Sequence, residues 1–594
     1  MARHRDGLDV SPFTANDRDP PAPELGPARR HVLTVVLEDY YHVSPFKTII
    51  DANHWSRFER RLEIGTDRTL ALLDEFGIRA TFFVLGWVAD AAPELVRRVA
   101  DRGHEIASKG YDHRGLRELG PAFRDDLARA REALERASGR RVIGYRAAEG
   151  WLPPSELPKL DVLIADGYLY DSSLKPSLRA YADQPWRRVL HRHTSAAGSL
   201  WEFPLSSVRL WGLDVPIAGG NHFRQFPPRL IQRAVAHWHR TVPAPLVLYF
   251  HTWELDPDQP RIGIAPVLAR IRQYRNLGHM EGMLRHYLER YAFESIADRL
   301  DIPVEAPATV GEPTTSARAT LAASASQAPG GSQAVSVVVP CFNEEAALPY
   351  LANALAQVTR ELAGPYDLRF LFVDDGSSDG TLAALHRLFD EWPNATVIAH
   401  QHNRGITAAI LTGMRAASTD VVCSIDCDCT YDPRRLGDMI PLLTDRVDLV
   451  TASPYHPQGS VRNVQGWRLV LSRSASGLYR LVLRQKLHTY TSCFRVYRRS
   501  AVLALDLRDQ GYLGLVELIG KLDLAGSRVV EYPTVLEARL LGRSKMKVAR
   551  NVVRHLGQLT RFALLRLAPS SARTQGRLDA MAKARIRLER PPTS

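Results

Sequence analysis

The chain has 594 residues, 45% hydrophobic and 24% charged, with a formal net charge of +12. That length excludes a single ordinary domain and suggests two to four, in the composition range of globular proteins. The charge favours anionic partners such as nucleotide phosphates, lipid phosphates or an acidic membrane face.

The first 30 residues carry no apolar core and read as a disordered leader, not a secretory signal. From residue 31 to 300, short apolar runs such as HVLTVVL, RATFFVLG, HEIASKG, VIGYRAA, LWEFPL and PLVLYFH alternate with helical stretches. The stretch 301–333 is rich in Pro, Ala, Ser, Thr and Gly, cannot bury a core, and reads as a linker. From 334 to 547 the runs AVSVVVP, LRFLFVDDG, TVIAHQ, DVVCSID and DLVTAS again alternate with helical segments. Such alternation predicts α/β architecture with parallel sheets, whose chemistry sits at the carboxyl ends of the strands.

The helix expected at 548–567 carries Val548, Val552, Leu556, Leu559, Phe562 and Leu565 on one face. Arg550, Arg554 and Arg561 lie off it, with Lys547 just ahead. It reads either as a membrane-surface element or as a helix packed on the domain before it. The basic stretch 568–594 reads as a disordered tail.

All five cysteines (Cys341, Cys423, Cys427, Cys429 and Cys493) lie in the second half with no C-x-x-C pair. A disulfide framework and a zinc site are therefore not suggested, and a reducing compartment fits. No run reaches ~18 consecutive apolar residues, so no membrane-spanning helix is expected. Both points lead to a cytoplasmic location, with docking on the inner face of the cytoplasmic membrane as an extension. No nucleic-acid-binding module is recognisable.

In the second half, two strands end in acids: Asp374-Asp375 and Asp426-Cys427-Asp428. Paired carboxylates of this kind suit Mg²⁺ or Mn²⁺, which keep several waters and bind substrate phosphates. The ordered segments SVVVPCFNEE, VDDGSSDGT, NRGITAAILTGMRAASTD, SIDCDCTYDP, TYTSCFRVYRRS and RLLGRSK resemble glycosyltransferase family 2, with its GT-A fold. The subgroup they look like transfers mannose or glucose to polyprenyl phosphates.

The resemblance implies that Pro340, Asn343, Glu344, Asp374 and Asp375 cradle the nucleotide. Asp426 and Asp428 would form the D-x-D pair that holds the metal, with Asp426 toward the ribose. Ser492, Arg495, Arg539, Ser544 and Lys545 would face phosphates, and Glu517 would lie near the acceptor. Asp428, Glu517 and Arg495 are the candidate catalytic residues. Cys429 and Thr430 replace the family's usual leucine and glutamine, and Cys493 its usual glycine. The implied donor is GDP-mannose or a UDP-sugar, the implied acceptor a polyprenyl phosphate or a glycan, and the implied outcome inversion. A phosphate acceptor is already ionised; a sugar hydroxyl needs a base, for which Glu517 and Asp428 are the candidates.

In the first half, EDYYHV, RATFFVLGWVA, GHEIASKGYDH, GYRAAEGW and YFHTWELDPDQPR resemble the NodB-homology polysaccharide deacetylases. That implies a distorted (β/α) barrel whose metal is held by an acid and an H-x-x-x-H pair. Here the position of the family's base is Val36, that of its first metal histidine is Lys109, and Arg146 precedes Ala147-Ala148. Glu38, Asp39, His113 and His251 remain as remnants. An ammonium has no lone pair for a metal, so no metal is expected there. The domain reads as a degenerate deacetylase in which Glu38 and Asp39 face Lys109. The alternatives are a working deacetylase of amino sugars, acid–base chemistry by Lys109 and Glu38, or a plain polar cluster.

Overall fold

The computed structural model describes residues 29–149, 152–175, 181, 184–210, 213–303, 332–464, 466–542 and 548–567. Most of the expected leader and of the expected linker, the expected tail and the candidate site residues Ser544 and Lys545 lie outside them. The chain divides into two compact units. The first comprises 1–52, 60–259 and 265–321; the second comprises 53–59, 260–264 and 322–594.

The first unit is built on strands β1 (His31–Leu37), β2 (Thr81–Val84), β3 (Glu105–Ser108), β4 (Gly144–Tyr145), β5 (Tyr170–Asp171), β6 (His191–Ser195) and β7 (Gly198–Glu202). A separate hairpin pairs β8 (Ser207–Leu210) with β9 (Leu213–Pro216). β10 (Val247–His251) and β11 (Phe293–Glu294) both pair with β1. The sheet runs β10-β1-β2-β3-β4-β5-β7-β6, parallel except for the β6–β7 hairpin. This is the expected distorted barrel, with β10 and β6 as the ends of the strand path. Helices α1 (Leu62–Glu75), α2 (Pro93–Asp101) and α3 (Phe123–Ser138) supply crossovers.

β1 is buried on both faces, which is why its sequence is apolar apart from His31 and Thr34, the latter donating its hydroxyl to the Leu248 carbonyl. Leu33, Val35 and Leu37 pack with Phe82 and Val84 in one core. Val32 and Val36 pack with Phe83, Ala107 and Tyr249 in another. The parallel register brings Val36 opposite His251 and Leu37 opposite Val84, so Glu38, Lys109 and His251 all emerge at the same edge of the sheet.

The second unit opens with β12 (Gln333–Cys341), α4 (Leu348–Leu362), β13 (Tyr366–Asp374), α5 (Thr381–Phe389), β14 (Ala395–Ala399), α6 (Ile406–Ala416) and β15 (Val421–Ser424). β16 (Leu449–Ser453), β17 (Ser460–Arg462), α7 (Gly466–Val482), β18 (Arg495–Arg498), α8 (Tyr512–Ala525), β19 (Val529–Pro533), β20 (Val535–Glu537) and α9 (Val548–Leu567) follow. The main sheet has the order β14-β13-β12-β15-β18-β16-β19, with only β18 antiparallel to its neighbours. A parallel β-α-β start followed by one reversed strand is the arrangement the GT-A expectation requires. β17 and β20 form a separate two-stranded ribbon. Adjacent parallel strands β13, β12 and β15 end side by side, which gathers Asp374, Cys341 and the loop after Ser424 at one edge.

The face of α9 is divided. Leu559 and Phe562 are buried in the core, the phenyl ring of Phe562 lying where a Cβ on Gly520 of α8 would sit. Leu556, Leu564 and Leu565 stay exposed. The reading of a helix packed on the domain before it therefore holds for Leu559 and Phe562. The side chains of residues 548–553 lie outside the description. No helix among the described residues is long and apolar enough to cross a membrane.

Candidate functional sites

In the first unit the strand-end acids have separate fates. Lys109 Nζ donates to Glu38 Oε2 at 2.5 Å, and both side chains are nearly inaccessible. His251 Nε2 lies 3.3 Å from Glu38 Oε1, and His113 Nε2 lies 3.6 Å from Oε2. Glu38 is thus surrounded by one ammonium and two imidazoles. Burial pushes the Lys109 ammonium below the usual lysine range against the pull of Glu38. Burial, with Lys109 beside it, holds His113 well below the usual histidine range and therefore neutral.

Asp39 does not face Lys109, and that expectation is corrected. Its carboxylate accepts from the backbone N–H groups of Tyr40 at 2.9 Å and Arg61 at 2.8 Å, which turns it away from the cluster. Burial raises it to about 7 against those two bonds. Arg146 is also committed to structure. Its Nε and Nη2 donate to the carbonyl and hydroxyl of Ser172, and its guanidinium lies over the Phe83 ring.

The sequence reading missed a second layer. Glu254 Oε2 accepts from the His251 backbone N–H at 3.0 Å and lies 3.5 Å from its Nδ1. Arg224 Nε donates to Glu254 Oε1 at 2.8 Å, both side chains buried. Burial alone would raise the Glu254 carboxyl; Arg224 and the contacts with His251 together outweigh it and hold it at about 2. The signal was the glutamate three residues beyond His251, which caps the turn Thr252–Leu255. The deacetylase family's metal does not fit here. The position of a ligand holds an ammonium, and that ammonium already saturates the one acid that faces it.

In the second unit the loop after β15 carries the D-x-D. Burial, then repulsion by Asp428, raises Asp426 to about 7. Thr430 N–H donates to Asp428 Oδ1 at 3.1 Å, and Cys429 sits at φ +51, a strained position for a residue with a side chain. Arg539 Nε donates to Asp428 Oδ2 at 2.6 Å, and its Nη1 lies 2.9 Å from Glu344 Oε1. Glu344, Asp428 and Arg539 therefore converge.

Asp375 accepts from the backbone N–H groups of Arg404 and Gly405 at 2.9 and 2.7 Å, with His400 Nδ1 2.8 Å away. Asn343, at φ +52, accepts from the N–H of Ser378 through its side chain. Both tie loops around the strand ends. Asp374 accepts from the Ser377 N–H, while its Oδ1 is buried without a hydrogen-bond partner. Pro340 lies at the end of β12, paired with Val373.

Two candidate catalytic residues are placed elsewhere. Arg495 is fully buried, and its terminal nitrogens donate to the carbonyls of Leu515 and Tyr490, so it is not free for phosphate. Glu517 is buried within α8 and accepts from the N–H groups of Arg508 and Asp509, with Lys521 2.9 Å away. It anchors a loop. Both were read as site residues because arginine and glutamate in a motif look alike whether they meet a ligand or the backbone.

Beside Asp426 lies a cavity of about 370 Å³. Thr430, Tyr431, Ser492, Cys493 and Tyr512 line it near the acids; Trp467, Leu471 and Leu478 of α7 and His555, Leu556 and Leu559 of α9 line it farther out. Trp467, Leu471, Leu478 and Leu556 are 40–53% exposed. The sequence reading missed α7 entirely. Its signal was the apolar periodicity of GWRLVLSRSASGLYRLV.

Among the described residues, no three His, Cys, Asp or Glu side chains converge as a self-sufficient metal site. The donor set nevertheless fits Mg²⁺ or Mn²⁺. Asp426 and Asp428 are two neighbouring carboxylates that repel each other, and such ions take their remaining ligands from water and substrate phosphate.

Comparison with known proteins agrees with this geometry. Residues 336–505 match the model of glycosyl transferase family 2, residues 56–156 that of polysaccharide deacetylase, and residues 172–301 a domain of unknown function. The polyprenol monophosphomannose synthase of Mycolicibacterium smegmatis is 31% identical over 255 residues, 42% of this chain and 90% of the relative. The undecaprenyl-phosphate mannosyltransferase of Micrococcus luteus is 29% identical over 218 residues, 36% of this chain and 87% of the relative. A crystal structure from Mycobacterium smegmatis named as a polysaccharide deacetylase is 21% identical, with a TM-score of 0.32, covering 50% of this chain and 98% of that one.

Two outcomes test the first unit. Lys109→Met leaves Glu38 buried without its ammonium and costs about 3–5 kcal/mol; Glu38→Gln added to it restores most of the loss in urea denaturation. For Glu254, the depressed folded value makes its contribution present above 4.5 and lost as pH falls toward about 2, a gap worth about 3 kcal/mol. Arg224→Met is expected to destabilise β10 at pH 7 and to flatten the wild-type loss between pH 4.5 and 2, read by hydrogen exchange.

Proposed function

Since the chain belongs to glycosyltransferase family 2 through its second unit and carries a polysaccharide deacetylase domain ahead of it, we propose that it moves a hexose from a nucleoside-diphosphate sugar to a polyprenyl phosphate, with inversion. The observation that carries this reading is the apolar cavity opening beside Asp426. A soluble sugar acceptor would need polar walls. Leucines and tryptophan on α7 and α9 instead suit an isoprenoid tail, whose phosphate would rest among Asp426, Thr430, Ser492 and Tyr512. The two polyprenyl-phosphate mannosyltransferases among the relatives support the same acceptor class, and mannose from GDP-mannose is the donor they favour over a UDP-sugar.

Asp426 and Asp428 would hold Mg²⁺ or Mn²⁺, which when bound neutralises charge growing on the departing diphosphate. The chain's own residues do the rest. Arg539 supplies a guanidinium at the acids, matched in shape to diphosphate oxygens. Asp375 and Asn343 fix the loops that frame the nucleotide. The acceptor phosphate is ionised near neutral pH and attacks without a base, which agrees with Glu517 being committed to the backbone. The cavity walls keep water from competing. The exposed leucines of α7 and α9 would rest on the cytoplasmic face of the membrane.

In this reading the first unit has lost metal-dependent hydrolysis and keeps its strand-end groove for binding glycan. The supporting observation is the Lys109–Glu38 pair.

Asp428→Ala is expected to abolish transfer of labelled hexose to polyprenyl phosphate in vesicles. Leu478→Asp should lower transfer at least about tenfold while nucleotide binding persists; full transfer by Leu478→Asp, or transfer only to a soluble glycan, overturns the lipid acceptor. Incubating the chain with chitooligosaccharides and Zn²⁺ or Co²⁺ should release no acetate beyond His113→Ala. Release well above it establishes a bifunctional enzyme.

A further inference from the structure

Arg539 bridges two acids from different strand ends. Its Nε meets Asp428 and its Nη1 meets Glu344, with carboxylate side chains 10% exposed and the guanidinium side chain 24% exposed. The backbone around it is pinned. Glu537 N–H donates to the Thr430 carbonyl at 2.9 Å, and Ala538 N–H to that of Arg462 at 3.2 Å. The guanidinium can therefore leave the acids by side-chain rotation alone, with the D-x-D loop and β20 in place.

This arrangement sets two cations in competition for one carboxylate. A divalent ion on Asp428 and a guanidinium at Oδ2 of the same group repel and cannot both keep their best geometry. A diphosphate reverses the balance, because its oxygens accept bidentate bonds from a guanidinium at least as well as a carboxylate does. Resting on the nucleotide-sugar reading above, we propose that Arg539 is an exchangeable counter-ion that holds Asp428 and Glu344 until a nucleoside diphosphate draws it away, so that metal and nucleotide each raise the other's affinity.

The metal alone must displace Arg539 from Asp428 with no diphosphate to receive it. The nucleotide alone finds Arg539 already engaged. When both bind, one displacement serves both, and the coupling is reciprocal. The order of events follows: the site stays closed to free divalent cations and takes them with the donor.

The test measures Mn²⁺ affinity of the full chain by electron paramagnetic resonance, with and without GDP or UDP. Wild type is expected to bind Mn²⁺ weakly alone and about tenfold or more tightly with nucleoside diphosphate, within the usual range of such coupling. Arg539→Gln should bind Mn²⁺ alone about tenfold more tightly than wild type and show a correspondingly smaller nucleotide effect. Arg539→Lys, which keeps the charge, should return Mn²⁺ binding toward the wild-type value. Arg539→Gln binding Mn²⁺ alone no more tightly than wild type, with the nucleotide effect intact, overturns the counter-ion role and leaves the donor reading standing. Failure of every form to bind Mn²⁺ with either nucleotide overturns the donor reading and this inference together.

Discussion

A carboxylate taken out of water must find a cation or a proton, and both functional edges of this protein are organised by that requirement. An isolated buried charge costs several kcal/mol even after relaxation. Glu38 meets it with Lys109, Glu254 with Arg224, and Asp428 with Arg539. Asp426 instead rises to about 7, pushed up by burial and then by repulsion from Asp428. Asp39 solves the same problem with two backbone N–H donors and a raised carboxyl. Each solution decides what that acid can do. An acid paired permanently with an ammonium is structural; one held near neutrality beside a second acid invites a divalent cation.

The strand-helix alternation was legible because buried parallel strands are mostly apolar, as β1 and β12 are apart from His31 and Thr34 in one and Gln333 and Ser336 in the other. The acids at strand ends were legible because they interrupt those runs. What could not be read was the direction of each side chain. Arg495 stands in a motif but spends its donors on carbonyls 5 and 20 residues away. Glu517 caps backbone groups 8 and 9 residues before it. Contacts of that kind depend on how loops fold back, and no residue pattern announces them. The lysine at 109 was readable as a lost ligand from its place in the motif. Its choice of Glu38 over Asp39 was not, because the two acids are adjacent and only the turn after β1 separates them.

The cavity wall follows the same division. α9 showed its amphipathic period plainly, yet that period alone could not say which leucines meet protein. The structure buries Phe562 in the core, seats Leu559 between core and cavity, and leaves Leu556 exposed at the cavity. α7 carries the complementary wall with exposed Trp467, Leu471 and Leu478. The two helices pack against each other and both line the cavity. Neither helix would make a hydrophobic wall beside Asp426 alone.

The contrast between Lys109 and Arg539 separates the two halves chemically. Both are cations on a strand-end acid of a metal-dependent family frame. Lys109 is 4% exposed, shut in with Glu38 at 1%, and inner-core Val36 fills the place of a base. Withdrawing it would strand a buried carboxylate with no ligand ready to replace the ammonium. Arg539 is 24% exposed and shared between Asp428 and Glu344, so its departure frees Asp428 on the same loop as Asp426. The difference is not one of residue type, since each pair is a charge-assisted hydrogen bond of 2.5–2.6 Å. It lies in whether a replacement cation can reach the acid once the first one leaves.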